Sequence, residues 1–99
     1  MIKVSLEDIQ VLTDAVKQYG SKAQLRQLQE ECAELIVAIN HCFRQREDAA
    51  VEFLDEYVDV LIVMYQLFIA AKSPQDFQSM WEVKMYNLKQ RLSQEVKND

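Results

Sequence analysis

Four carboxylates stand in two pairs whose spacing places each pair on one face of a helix. Glu31 and Glu34 are three residues apart, and so are Glu56 and Asp59; side chains at this spacing are neighbours on a helix surface. Asp59 lies in the most apolar stretch of the chain, residues 57–71, where a carboxylate is costly unless a partner balances its charge. The pairs therefore predict a site for a cation or a charged partner.

A short turn would bring the two pairs to the same level. Residues 44–48 contain no apolar side chain, and a turn there predicts an antiparallel helical hairpin. Glu31 and Asp59 are equally far from residue 45 along the chain, so they would lie opposite each other in the hairpin. Glu34 and Glu56 are also equally far from residue 45 and would lie opposite each other. Four carboxylates at one level cannot all remain ionised without cations. Oxygen ligands favour Mg²⁺, with Mn²⁺ as a substitute.

A second polar stripe occurs near the end of the chain. Lys84, Asn87 and Arg91 follow one another at spacings of three and four, which places two cations and an amide on one helix face. Such groups suit the oxygens of a phosphate. If this stripe lies next to the acidic metal cluster, it would bind the side of a phosphate substrate that faces away from the metal.

Each pattern also has a structural explanation. A Glu-x-x-Glu pair is often a solvated face that pairs with Lys or Arg, and the stripe from Lys84 to Arg91, taken alone, is typical of an ordinary surface. The matched depth of the two pairs, with Asp59 inside an apolar run, favours a functional site. A ferritin-like iron site needs Glu-x-x-His, whereas the only histidine, His41, lies seven residues beyond Glu34.

The elements that position these residues are predicted to be helices, because the chain has one Gly and one Pro among 99 residues. We expect an all-α four-helix bundle, in which the apolar third helix is central and wrapped by the others. Gly20 would stop the first helix, Ser21 and Asp48 would cap the second and third, and Ser73 with Pro74 would begin the fourth. The predicted ranges are 5–18 for the first helix, 49 to about 71 for the third and 73 to about 95 for the fourth. The second runs from its cap at Ser21 to the turn at residues 44–48.

Bulk properties limit the classes of function. The length predicts one domain over residues 1–99, and a net charge of −5 argues against a nucleic-acid polymer as partner. We expect no membrane span and no signal peptide, because acids interrupt the N-terminal segment early. Cys32 and Cys42 are too far apart along one helix to form a disulfide, which favours reduced thiols in a cytoplasmic protein.

Three segments carry a resemblance to a known family. They are EECAEL at residues 30–35, EYVDVL at residues 56–61 and KMYN at residues 84–87. In order and spacing they resemble the E-E-x-x-E-L, E-x-x-D-V-L and K-x-x-N motifs of the MazG-like all-α nucleoside triphosphate pyrophosphohydrolases. The resemblance covers about residues 19–91 and rests on these motifs.

The resemblance implies a Mg²⁺-dependent hydrolase that cleaves a nucleoside triphosphate or deoxynucleoside triphosphate to the monophosphate and pyrophosphate, as in nucleotide-pool cleaning. It implies a homodimer or homotetramer and leaves the preferred base open. The metal ligands it implies are Glu31, Glu34, Glu56 and Asp59. In the mechanism, Glu31 or Glu34 would accept the proton of the attacking water. Lys84, Asn87 and Arg91 would contact the phosphates.

Two other readings stay open. A non-catalytic helical module that binds a nucleotide or a protein would carry the same motifs without turnover. A di-iron carboxylate protein would be coloured and contain iron on purification.

Overall fold

The chain forms three α-helices in a computed structural model that describes the backbone of residues 2–98 and the side chains of residues 2–96. They are α1 (Leu6–Phe43), α2 (Ala49–Ala70) and α3 (Pro74–Asn98), and no strand occurs within this range. The all-α prediction is confirmed. The four-helix bundle is not, because the chain shows three helices and α3 does not pack along the other two.

Helix α1 begins at the predicted capping pair and contains a break at Gly20. The backbone N–H of Asp8 donates to Ser5 Oγ (3.0 Å), and that of Ser5 donates to Asp8 Oδ2 (3.1 Å). Gly20 has φ 82° and ψ 162°, a conformation that is non-helical and costly for residues with a Cβ. The helical backbone therefore ends at Gly20, as predicted, and the first two predicted helices are the two segments of α1 on either side of this break.

The turn between α1 and α2 lies where its charged residues predict it, but one detail differs. Asp48 does not cap α2: its backbone is left-handed (φ 61°), and its side chain makes no capping hydrogen bond. An N-cap residue normally has an extended backbone, which directs its oxygen at the first N–H groups of the helix. In this turn the backbone N–H of Ala49 donates to the carbonyl of Arg46 (3.2 Å).

Helix α2 packs against α1 as the second arm of a hairpin. The buried apolar side chains at their interface are few and small, and they are Ala38, Ala49, Val60 and Val63. Other apolar side chains of α2 stay exposed, with Ile62 at 43% and Met64 at 51% of their full accessibility. The prediction that the other helices wrap α2 is therefore not met within one chain.

Helix α3 projects from this hairpin. Pro74 is its first residue, as predicted, and its clearest packing contact is the edge of Phe77 against Phe68 (ring centroids 5.4 Å apart). Large apolar residues farther along α3, including Trp81 and Leu92, are more than half exposed. The radius of gyration is 17.0 Å, whereas about 13 Å is typical of a compact domain of this length. The single chain thus leaves much of its apolar surface uncovered.

None of the helices within residues 2–98 is long and apolar enough to cross a membrane.

Candidate metal centre

Three of the four predicted carboxylates meet between the arms of the hairpin. Glu31 comes from α1, and Glu56 and Asp59 come from α2. Each offers one carboxylate oxygen, and these three oxygens lie within 4.8 Å of one another. We call these three residues the acidic cluster. All three side chains are half-buried, at the level that the position of the turn predicts.

Glu34 lies at the edge of this cluster. Its residue is exposed, and it does not belong to the group of three oxygens that approach one another most closely. Its carboxyl group is nevertheless near enough to hydrogen-bond with both Glu31 and Glu56. The structure therefore places Glu34 beside the cluster, as an exposed residue.

The surroundings disfavour ionisation of Glu31 and Glu56. Burial raises the pKa of Glu56 from 4.5 to about 7, and a hydrogen bond with Glu34 and the negative charges of Glu34, Asp59 and Asp55 add to the shift. Burial also raises the pKa of Glu31, an effect that Gln27 opposes by donating from Nε2 to Glu31 Oε1 (2.6 Å). Desolvation and like charges both favour the protonated form of a carboxyl group. A cation would reverse this preference.

Two oxygens of the cluster lack the partners that buried oxygens normally have. Glu31 Oε2 and Glu56 Oε2 are shielded from solvent and accept no hydrogen bond. Among the side chains of residues 2–96, no Lys or Arg forms an ion pair with any of the three carboxylates. An all-oxygen donor set with shielded free oxygens fits a hard divalent cation, the class that includes Mg²⁺ and Mn²⁺.

His41 does not join the acidic cluster. Its Nδ1 lies 2.9 Å from both carboxylate oxygens of Glu52, and its Nε2 lies 3.3 Å from Nη1 of Arg46. These contacts hold the end of α1 to the start of α2 near the turn. The described ligand group is thus made of carboxylates, without the histidine that a ferritin-like iron site needs.

A cavity of about 370 Å³ adjoins the acidic cluster. Glu31 and Asp59 line it together with the amides of Gln24, Gln27 and Gln66. Gln66 lies on the same face of α2 as Glu56 and Asp59, seven residues beyond Asp59, whereas the sequence patterns considered above did not include Gln24 and Gln27. Their signal was present: Gln24, Gln27 and Glu31 are spaced by three and four, and Gln24 and Gln66 are equally far from the turn. The cavity therefore extends the polar part of the interface between α1 and α2 away from the turn.

The cationic stripe of α3 is not brought to the acidic cluster within one chain. Lys84, Asn87 and Arg91 lie together, as their spacing predicts, around a depression that Trp81 and other α3 residues complete. No member of the acidic cluster lines that depression. The two halves of the predicted site therefore stand apart in the single chain.

Comparisons of the chain with models of protein families, with curated proteins and with solved structures found no match. The resemblance to the MazG-like family thus rests on the motifs at residues 30–35, 56–61 and 84–87.

Proposed function

We propose that this chain is a Mg²⁺-dependent nucleoside triphosphate pyrophosphohydrolase, which cleaves the bond between the α and β phosphates and releases the monophosphate and pyrophosphate. The observation that carries the proposal is the convergence of Glu31, Glu56 and Asp59, with two shielded oxygens that no protein group satisfies. The motifs that contain these residues supply the choice of reaction. Carboxylates on two facing helices can hold a metal ion that also binds the triphosphate.

The acidic cluster would hold the cation, with Glu34 beside it. A divalent cation at this position supplies positive charge to the phosphate oxygens and makes water a better nucleophile at neutral pH. Glu34 is exposed and stands outside the closest group of oxygens, so it is the better placed of the two candidate bases. We propose that Glu34 accepts the proton of the attacking water and that Glu31 is a metal ligand.

Lys84, Asn87 and Arg91 would bind the phosphates and offset the charge that develops on the leaving pyrophosphate. Since these residues stand apart from the acidic cluster in one chain, a second copy is needed to complete the site. Helix α3 of one protomer would then lie against the hairpin of its partner.

The exposed apolar surface supports a homodimer or homotetramer. Among the residues described, four small or medium side chains form the buried apolar core, and no large side chain is fully buried. The uncovered sides of α2 and α3 instead carry large apolar groups such as Met64, Trp81 and Leu92. Large apolar side chains that a single chain leaves exposed are typical of a protein interface. Packing of two copies would bury these groups and supply the core that one chain lacks.

We place the reaction in the cytoplasm, as part of nucleotide-pool cleaning. Cys32 and Cys42 are both free thiols, which suits a reducing compartment.

The test is a pyrophosphate-release assay on the eight common nucleoside and deoxynucleoside triphosphates, in Mg²⁺ and in EDTA. Release in Mg²⁺ that EDTA abolishes is the expected result. If no nucleotide releases pyrophosphate, the proposal is wrong, and the non-catalytic binding module is the better description. Iron and colour in the purified protein would favour the di-iron reading.

A further inference from the structure

Glu31 is the member of the acidic cluster that α1 supplies. Glu56 and Asp59 both come from α2, so the contribution of α1 depends on the direction of one side chain. A glutamate side chain has several rotatable bonds, and fixing them costs conformational entropy. A group that orients this carboxylate before a cation arrives therefore lowers the cost of binding the cation.

Gln27 is placed to orient the carboxylate of Glu31. It lies four residues before Glu31 on α1, and side chains at this spacing are neighbours on a helix surface. Its Nε2 donates a hydrogen bond to Oε1 of Glu31 (2.6 Å). Gln27 also lines the cavity beside the acidic cluster, together with Glu31 and Asp59. The hydrogen bond engages one carboxylate oxygen and so limits rotation of the carboxylate about its last bond.

A second pair of the same two residue types shows what is particular about Gln27. Gln78 donates from Nε2 to Oε1 of Glu82 (3.1 Å), again across four residues of a helix. Glu82 is exposed, so water competes for its carboxylate, and this contact does no more than support α3. Glu31 is half-buried and belongs to the group of carboxylates that could hold a metal ion. The contact made by Gln27 therefore acts on a candidate ligand.

The amide of Gln27 also has the right charge for this task, which is none. Among the side chains of residues 2–96, no Lys or Arg forms an ion pair with the three carboxylates. A cationic donor at position 27 would orient Glu31 as well, but its positive charge would repel a divalent cation. Carboxylates that ligate metals are in turn held by hydrogen bonds from neighbouring groups. A neutral amide orients the ligand and leaves its negative charge for the ion.

We propose that Gln27 is a positioning residue of the metal centre: its amide holds the carboxylate of Glu31 toward Glu56 and Asp59 and thereby raises the affinity of the acidic cluster for a divalent cation. Gln27 acts through Glu31 rather than as a ligand. The inference rests on the part of the proposed function that gives the acidic cluster a cation. It adds to the site a residue that lies outside the motifs at residues 30–35, 56–61 and 84–87.

The test measures the Kd for Mn²⁺ by electron paramagnetic resonance of the free ion. Gln27→Met keeps the length of the side chain and removes the donor. Loss of a hydrogen bond that orients a metal ligand typically lowers affinity at least tenfold, so the Kd of this variant should be about tenfold above that of the wild type. Gln78→Met is the matched control, because it removes the same type of contact from α3, outside the cluster, and should keep the wild-type Kd.

A second background separates positioning from a general effect on the fold. Glu31→Ala should itself weaken Mn²⁺ binding, and the addition of Gln27→Met should then change the Kd little, because the carboxylate that Gln27 orients is absent. A structural role would weaken binding by a similar factor in both backgrounds. The melting temperature of Gln27→Met in EDTA should stay close to that of the wild type, because Gln27 is exposed and one such helix pair adds little stability.

The outcomes are distinguishable. If wild-type protein binds no Mn²⁺, the metal centre and the proposed function fail, and this inference fails with them. If the wild type binds Mn²⁺ and Gln27→Met binds it equally well, Gln27 has no positioning role, while the proposed function stands. An equal loss of affinity with and without the carboxylate of Glu31 also overturns the assignment, because Gln27 would then act by another route.

Discussion

Metal binding by the acidic cluster should depend on pH near neutrality. Metal ligands must be deprotonated, and binding therefore releases their protons. Burial and the neighbouring carboxylates raise the pKa of Glu56 to about 7, so this ligand is partly protonated at neutral pH when no metal is bound. The perturbation to apply is a change of pH between 6 and 8, with Mn²⁺ as the probe.

The size of the effect follows from the pKa of Glu56. With a pKa of about 7, about one tenth of the molecules carry the ionised group at pH 6 and about nine tenths at pH 8. If binding needs that ionised group, the apparent Kd for Mn²⁺ should fall about tenfold over this interval. The raised pKa of Glu31 acts in the same direction.

Stability of the metal-free protein should move in the opposite direction. The folded pKa of Glu56 is above its unfolded value, so the folded state holds a proton that the unfolded chain releases. The resulting stabilisation is complete below about pH 4.5 and is lost as the pH rises through about 7. Metal-free protein should therefore melt at a lower temperature at pH 8 than at pH 5, as far as this group is concerned.

The binding assay is Mn²⁺ titration followed by electron paramagnetic resonance of the free ion, at pH 6, 7 and 8 and constant ionic strength. Glu56→Gln should bind Mn²⁺ more weakly and with a flatter dependence on pH. Glu30→Gln is the matched control, because Glu30 is the neighbour of Glu31 but is exposed and outside the cluster. A wild-type Kd that is equal at pH 6 and pH 8 would refute the assignment of the half-buried Glu56 as a metal ligand.

Three further results are expected. Lys84→Ala should raise KM or lower kcat for triphosphates and leave Mn²⁺ binding nearly unchanged; wild-type steady-state kinetics would show that the α3 stripe is solvated surface. Asp59→Asn should have a higher melting temperature than the wild type in EDTA, because the cluster loses one of its like charges. The variant should also lose most of the stabilisation by Mg²⁺, which amounts to about 2.7 kcal/mol for one site when the Mg²⁺ concentration is 100 times its Kd. A mutant melting well below the wild type in EDTA, with no Mg²⁺ effect on either, would make Asp59 structural. Leu92→Glu should shift the mass in light scattering from an oligomer toward a monomer. The control Gln90→Glu adds the same charge on the side of α3 that faces away from Leu92 and should not shift the mass. A monomeric wild type contradicts the proposed assembly.

The level at which the carboxylates meet could be predicted because it depends on local rules. Helical spacing places Glu31 with Glu34 and Glu56 with Asp59, and the charged residues 44–48 locate the turn. A hairpin with a short turn has little freedom of register, so the positions in sequence determine the depth of each side chain. The cluster within 4.8 Å follows from those constraints.

Other features depend on context that the pattern does not contain. Asp48 has the composition of an N-cap, but the course of the turn gives it a left-handed backbone. The apolar stripe of α3 predicts a covered face without specifying whether the cover comes from the same chain or from another. Gln24 is polar, and only its neighbours in the hairpin reveal that it is buried.

The most direct test of the central claim is ³¹P nuclear magnetic resonance of a nucleoside triphosphate incubated with the protein in Mg²⁺. The claim that the acidic cluster supports cleavage between the α and β phosphates predicts signals of monophosphate and pyrophosphate. It also predicts turnover lowered by orders of magnitude in Glu56→Gln and in Asp59→Asn, with unchanged helical content by circular dichroism. Products of nucleoside diphosphate and orthophosphate, or wild-type turnover in both variants, would contradict it.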